Sequence, residues 1–192
     1  VLSPWPTTDP AGVDLVVQYK CGDPLVYDNH IKPHLRLVNN GSGEVNMTEV
    51  TMRYYYTMEG DGPEDFWIDY AAIRADNLVH NFVYAGGYLE IGFLLGAGAL
   101  APGSDTGAME LRFNKVNWTD YDESDDYSFN PSLTTYTDYE RVTCYLDGVL
   151  VWGTEPTGPV PTPVPTDVPT IKPSMEPTAE PSAEPTVEPT EE

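Results

Sequence analysis

The residues most suggestive of chemistry lie in the stretch 113–129, FNKVNWTDYDESDDYSF, where Trp118 closely precedes five acidic residues. Three of these acids, Asp122, Asp125 and Asp126, fall within five positions. Neighbouring carboxylates repel each other, and calcium prefers about six to eight oxygen ligands from carboxylates, carbonyls and water. The stretch could therefore hold calcium or form a solvated loop. Composition alone favours the solvated loop, because the glycine and terminal glutamate of an EF-hand are missing.

Signatures of catalysis are absent from the sequence. The three histidines, His30, His34 and His80, belong to no GxSxG, HExxH or GxxxxGK[ST] motif. A glycosidase needs two carboxylates at a set separation, but acidic residues are so frequent here that no pair stands out. We therefore predict that the chain is not an enzyme.

The charge balance excludes two classes of partner. The formal net charge is −22, whereas nucleic acids and anionic membrane surfaces are bound by clustered lysine and arginine. No apolar run approaches the roughly 18–20 residues of a membrane-spanning helix. We therefore expect neither a nucleic-acid partner nor a membrane partner.

The two cysteines, Cys21 and Cys144, do not form a CxxC pair, which argues against a metal finger or a thioredoxin-like motif. A disulfide between them is possible if the chain is secreted. Two separately buried thiols are an equally good interpretation.

Composition divides the chain into three parts. Eleven of the 19 prolines stand at or after Pro156, in Pro/Thr/Glu repeats that favour polyproline II and cannot form a core. We predict an N-terminal linker remnant at 1–12, one globular domain at 13–156 and a disordered linker at 157–192. Because such repeats usually join modules and the chain starts at Val1 without a signal peptide, we interpret it as a piece of a longer, processed protein.

The globular part consists of short segments typical of β-strands, rich in β-branched and aromatic residues or alternating with period two. Asp147-Gly148 separates two of them and suits a type I′ hairpin turn. No sustained helical periodicity occurs, so we predict an all-β sandwich or jelly roll. The predicted strands are LVVQY (15–19), HLRLV (34–38), VTMRYYYT (50–57), YLEIGFLL (88–95), MELRFNKV (109–116), RVTCYL (141–146) and the following VLVW.

Three longer stretches together resemble the family 3 carbohydrate-binding modules of cellulosomal scaffoldins and cellulases. They are TMRYYYTMEG…FWIDYAAI (51–73), LRFNKVNWTDYDESDDYSF (111–129) and RVTCYLDGVLVWGTEP (141–156). The resemblance covers roughly residues 14–156. It implies a jelly roll of about nine strands, a structural calcium ion and, in cellulose-binding members, a flat face that docks on crystalline cellulose.

The resemblance also implies ligands for the calcium ion, which match Thr57, Glu59, Asp122, Asp125 and Asp126. The family commonly has aspartate where Glu59 stands and asparagine where Asp125 stands. Glutamate still offers oxygen ligands but reaches one methylene farther, and Asp125 could bind through its backbone carbonyl.

The family's planar strip of aromatic rings and an ion pair has matching positions here as well. The match implies carbohydrate-binding roles for Asp69, Tyr70, His80, Arg112 and Trp118, with Asn29 as a polar anchoring residue. Rigid aromatic rings suit the flat apolar faces of glucose units because they lose little conformational entropy on binding. We therefore expect these side chains to be nearly coplanar and exposed.

These observations favour a non-catalytic cellulose-binding module of a secreted, extracellular protein, such as one in a cellulosome attached to the cell surface. It would dock on crystalline cellulose or a related plant cell-wall polysaccharide and target covalently linked neighbouring modules there. Two alternatives stay open: a family 3 module that assists a fused endoglucanase without gripping crystalline cellulose, and a cohesin-like protein–protein module.

Overall fold

The computed structural model describes residues 12–60 and 62–157. The predicted linkers, at 1–12 and 157–192, lie outside the described residues apart from residues 12 and 157. No helix within the described ranges is both long enough and apolar enough to span a bilayer.

The described chain is built from strands joined by turns and short 3-10 segments. Nine strands have four or more residues: β1 (Leu15–Cys21), β3 (Pro33–Asn39), β5 (Val50–Tyr55), β6 (Glu64–Ala71), β7 (Leu78–Val83), β8 (Tyr88–Phe93), β10 (Met109–Lys115), β13 (Val142–Leu146) and β14 (Val149–Trp152). Five have two: β2 (Tyr27–Asp28), β4 (Val45–Asn46), β9 (Ala99–Leu100), β11 (Tyr121–Asp122) and β12 (Thr137–Asp138).

Two five-stranded antiparallel sheets carry the fold. The first sheet has the order β12-β1-β3-β10-β6, and the second has the order β14-β13-β5-β8-β7. Their apolar faces meet in one core, so the predicted all-β class is confirmed. All seven predicted strands are present, whereas β6 and β7, each at one edge of its sheet, were not among them.

Strand β10 shows how alternation creates the core. Met109, Leu111 and Phe113 are fully buried, whereas Glu110 and Arg112 between them are only partly buried. Successive side chains of a strand point to opposite faces, so the odd-numbered residues face the second sheet. Glu110 and Arg112 therefore lie on the outer face of the first sheet, which faces solvent.

Two smaller predictions can be compared with the structure. Asp147 and Gly148 have φ values of 49° and 77°, the two positive φ angles that a type I′ turn requires, so the predicted hairpin between β13 and β14 is confirmed. Cys21 and Cys144 are two separately buried free thiols, which agrees with the second interpretation of the cysteines.

Candidate functional site

A bulge in the edge strand of the first sheet positions an ion pair. Tyr70 lies opposite Glu110 and Ile68 lies opposite Leu111, so Asp69 is an extra residue on β6. Bulges of this kind redirect a side chain. Both guanidinium nitrogens Nε and Nη2 of Arg112 donate to the Asp69 carboxylate, at 3.1 Å from Oδ2 and Oδ1 respectively, and this bonding holds the pKa of Asp69 below its ordinary value.

The ion pair continues into a row of indole rings. Trp67 lies directly opposite Arg112 across the two strands, and the Arg112 guanidinium carbon is 4.7 Å from the Trp67 ring centroid. The Trp67 and Trp118 centroids are 6.4 Å apart, with their planes tilted by 39°. We call the outer surface formed by Trp67, Asp69, Tyr70, Arg112 and Trp118 the Trp118 face.

Trp118 extends outward from the loop that follows β10. Its exposed fraction is 51%, and its φ of 60° lies in the left-handed region, which is costly for a residue with a side chain and often marks a functional position. The His30 ring meets it edge-on at 5.6 Å between centroids. Trp118 is therefore an exposed ring held from two sides, by His30 and by Trp67.

Two other predicted residues, Tyr70 and Asn29, can now be placed. Tyr70 is 54% exposed and shares the outer face with Arg112, because its partner Glu110 is two residues from Arg112 on β10. Asn29 is half-buried and immediately precedes His30. The structure thus brings Asp69, Tyr70, Arg112 and Trp118 onto one face, and Asn29 is next in sequence to His30, which contacts Trp118.

His80, by contrast, lies elsewhere. It is on β7, the edge strand of the second sheet, and its ring stacks on Phe66 with 4.2 Å between centroids. Phe66 lies opposite the fully buried Phe113, so it faces the core rather than the outer surface. His80 caps the open edge of the sandwich, and the expected coplanar arrangement with Trp118 does not include it.

Trp67 and His30 were missed by the sequence analysis. Trp67 stands two residues before Asp69 in FWID, so period-two alternation could have indicated it. However, the bulge at Asp69 breaks that alternation, and only the register with Arg112 establishes the face. Nothing in the sequence around His30 signals its contact with Trp118, because the two are brought together by the fold.

The acidic loop, residues 120–126, contains a buried carboxylate. Asp126 is 6% exposed, and its Oδ1 accepts a hydrogen bond of 2.6 Å from the Thr57 backbone N–H. Its Oδ2 is buried without a hydrogen-bond partner. Burial raises the pKa of Asp126 well above its ordinary value, and the nearby Asp125, Glu59 and Asp122 raise it further.

A second buried acid, Glu123, was also missed by the sequence analysis. It is 2% exposed, and its Oε1 has no hydrogen-bond partner. Burial, together with repulsion from Asp126, raises the pKa of Glu123 to about 9. Two buried carboxylates with free oxygens in one loop form an electrostatic arrangement that a cation would relieve.

The remaining predicted ligands meet at the same loop. Both carboxylate oxygens of Glu59 lie 3.0 Å from the Asp122 backbone N–H, and Oε2 also accepts from the Lys115 ammonium at 3.3 Å. Asp125 belongs to the short 3-10 segment Glu123–Asp125. Within 12–60 and 62–157, no group of three or more His, Cys, Asp or Glu side chains is arranged to hold a metal. Calcium binding here would therefore also need oxygens from the backbone or from Thr57.

Comparison with known proteins agrees with the geometry. Residues 16–153 match the family described as a cellulose binding domain. Endoglucanase A of Paenibacillus lautus is 42% identical over 156 residues, which cover 78% of this chain and 22% of that protein. Cellulosomal-scaffolding protein A of Acetivibrio thermocellus is 36% identical over 163 residues, which cover 77% of this chain and 9% of that protein.

A solved structure extends the comparison to the fold. The carbohydrate-binding module CBM3b from the cellulosomal cellobiohydrolase 9A of Clostridium thermocellum superposes with a TM-score of 0.71 at 34% identity. The match covers 76% of this chain and 99% of that module. The predicted jelly-roll sandwich is thereby confirmed, and the cohesin-like alternative is excluded. The chain belongs to the family 3 carbohydrate-binding modules, a family of binding domains and not of catalytic ones.

Proposed function

We propose that this chain is a non-catalytic module that docks its Trp118 face on crystalline cellulose. The observation that carries the proposal is the exposed Trp118 ring beside Trp67 and the Arg112–Asp69 pair, which two hydrogen bonds join. Glucose units present flat apolar C–H faces in cellulose, and indole rings match such faces with little loss of side-chain entropy. A guanidinium plane held by its carboxylate can lie flat on the sugar in the same way.

The proposal includes a structural calcium ion at the acidic loop. Its support is the buried, unpartnered Oδ2 of Asp126 and the three acids whose charge raises the pKa of Asp126. An ion there would supply the positive charge that these carboxylates lack. The oxygens would come from Asp126, Glu59, Thr57, Asp122 and Asp125, the last two through carboxylate or carbonyl groups.

The biological role we propose is targeting. The chain spans 22% of the length of the endoglucanase and 9% of the length of the scaffolding protein to which it is similar, so such modules are linked to other parts in those proteins. We infer a secreted, extracellular protein in which this module holds its linked neighbours at the plant cell wall. Keeping a linked module at a surface raises its local concentration there.

The test is a depletion isotherm on microcrystalline cellulose with three proteins. Trp118→Ala should weaken binding by about 1–3 kcal/mol, a range borrowed from the stacking of nucleic-acid bases on aromatic side chains. The matched control is His80→Ala, which also removes an exposed ring but from the edge of the second sheet, and it should bind like the unchanged protein.

Two results would contradict the proposal. If the unchanged protein stays in solution while a fused endoglucanase still depends on it, the helper alternative is correct. If His80→Ala weakens binding as much as Trp118→Ala, the binding surface is not the Trp118 face.

A further inference from the structure

The loop that carries Trp118 is short and closed at its base. It leaves β10 after Lys115 and rejoins the sandwich at Tyr121, which is 1% exposed. The Trp118 backbone N–H donates to the Lys115 carbonyl at 2.9 Å. Because Trp118 has a positive φ, this conformation persists only if its surroundings hold it in place.

An internal ammonium group also holds this loop. The Lys115 side chain is 9% exposed, and its Nζ donates to the Asp120 backbone carbonyl at 2.6 Å. Nζ also donates to Glu59 Oε2 at 3.3 Å and lies 4.3 Å from the Tyr121 ring centroid. Lys115 therefore fixes both ends of the loop, the start through its backbone and the end through its side chain.

The Lys115 side chain points away from the Trp118 face. Lys115 is two residues after Phe113 on β10, so it points to the interior side of the sheet and lies opposite Glu64. Trp118 points outward, three residues later. A buried ammonium that keeps its hydrogen bonds resists displacement, because an unpaired charge in that position is costly.

We propose that Lys115 is a positioning residue for the carbohydrate-contacting ring of Trp118, acting through the loop 116–120. The inference rests on the proposed function, because it concerns the same face. It assigns the role of holding the Trp118 loop to the Lys115 ammonium group and not to a bound ion.

The test is a double-mutant cycle on microcrystalline cellulose with Lys115→Met, Trp118→Ala and the double variant. Lys115→Met keeps most of the apolar stem and removes the charge. It should weaken binding roughly tenfold in the unchanged background and less than about twofold when Trp118 is already alanine, since coupled residues are not additive. Ile91→Val, a buried residue of β8, is the destabilisation control and should leave binding unchanged. Excess calcium should not restore the binding that Lys115→Met loses.

Each contrary result has a distinct meaning. If Trp118→Ala alone leaves binding unchanged, the proposed function fails and this inference fails with it. If Trp118→Ala weakens binding while Lys115→Met has no effect, or has an equal effect in both backgrounds, only the positioning role is overturned.

A second variant covers the case in which Lys115→Met does not fold. Lys115→Arg keeps the charge but places a larger, planar group against Asp120. It should give a smaller loss of binding that again disappears in the Trp118→Ala background. A loss of equal size in both backgrounds overturns the proposal.

Discussion

The Trp118 face and the acidic loop both contain carboxylates, but the pKa values of these carboxylates are shifted in opposite directions. On the face, Asp69 is bonded by the Arg112 guanidinium, which lowers the pKa of Asp69. In the loop, Asp126 is buried with Oδ2 unpartnered, and burial raises its pKa.

The difference indicates which region is complete in the protein chain alone. The face holds its charges in a paired, partly exposed arrangement, because Arg112 bonds to the Asp69 carboxylate. In the loop, burial without a pairing cation raises the pKa of Asp126 and Glu123, because the nearby Lys115 ammonium bonds to Glu59 and to the Asp120 carbonyl instead. We therefore expect removal of a cation to affect the loop strongly and the face weakly.

The largest expected effect is that of calcium on stability. At a calcium concentration of about 100 times Kd, binding to the folded state alone adds about 2.7 kcal/mol to the free energy of unfolding. Chelator should therefore lower the melting temperature, measured by calorimetry, and added calcium should restore it. A melting temperature that changes neither with chelator nor with added calcium would contradict the proposed calcium site.

A variant of Asp126 makes this test sharper. Asp126→Asn keeps the shape of the side chain but removes the buried charge, so it should abolish the response to calcium. In chelator it should melt at or above the temperature of the unchanged protein, because an unpaired buried charge is costly. Asp76→Asn, at an exposed position, is the matched control and should still respond to calcium.

An intermediate effect is expected for Trp67, the ring that joins the ion pair to Trp118. Trp67→Ala removes the cation–π contact with Arg112 and the ring contact with Trp118. The expected loss of cellulose affinity is about 1–2 kcal/mol, measured by depletion isotherms. Trp67→Phe keeps a ring and should lose less. If Trp67→Ala binds normally, the face is made of independent residues and not of one supported row.

The smallest expected effect is that of pH on binding. Asp69 has a lowered pKa, so its ion pair with Arg112 persists above the ordinary value of 3.8 and is lost only as the pH falls through the lowered value. Burial lowers the pKa of His30 below 6.5, so His30 stays neutral above that pH and is protonated only in more acidic solution.

Isotherms on cellulose should therefore coincide from about pH 8 to about pH 6.5, with a small decrease below that range as His30 gains a charge beside Trp118. Added salt should also change binding little. The charges of Arg112 and Asp69 are already paired with each other, and salt does not screen ring contact. A steep dependence on pH in the neutral range would mean that charge, and not ring contact, dominates the face.

Local sequence patterns predicted those parts of the fold that depend on neighbouring residues. Alternation in MELRFNKV corresponds to β10, and Asp147-Gly148 forms the predicted turn because both residues adopt positive φ. The edge strands β6 and β7 were missed. The bulge at Asp69 disrupts the alternation of β6, and as edge strands both are less completely buried than β10, so their alternation is weak.

The candidate site was predictable to a similar degree. The resemblance to the family indicated Asp69, Tyr70, Arg112 and Trp118, which the fold brings to one face. It could not indicate that His80 stacks on Phe66 at the sandwich edge, since that contact joins strands of different sheets. Whether these residues bind cellulose stays a prediction for the isotherms above.

The sequence by itself determined seven of the strand-forming segments, the hairpin turn and the family, because these depend on residue types and on spacing within short stretches. Only the tertiary structure decided that Trp67 contacts Arg112, that His80 lies outside the Trp118 face, and that the buried Lys115 ammonium bonds to the Asp120 carbonyl. The physical reason is that period two specifies which side of a strand a residue occupies. The period does not specify which strand is the neighbour or in what register the two strands pair. It also does not specify whether a buried charged group has a hydrogen-bond partner.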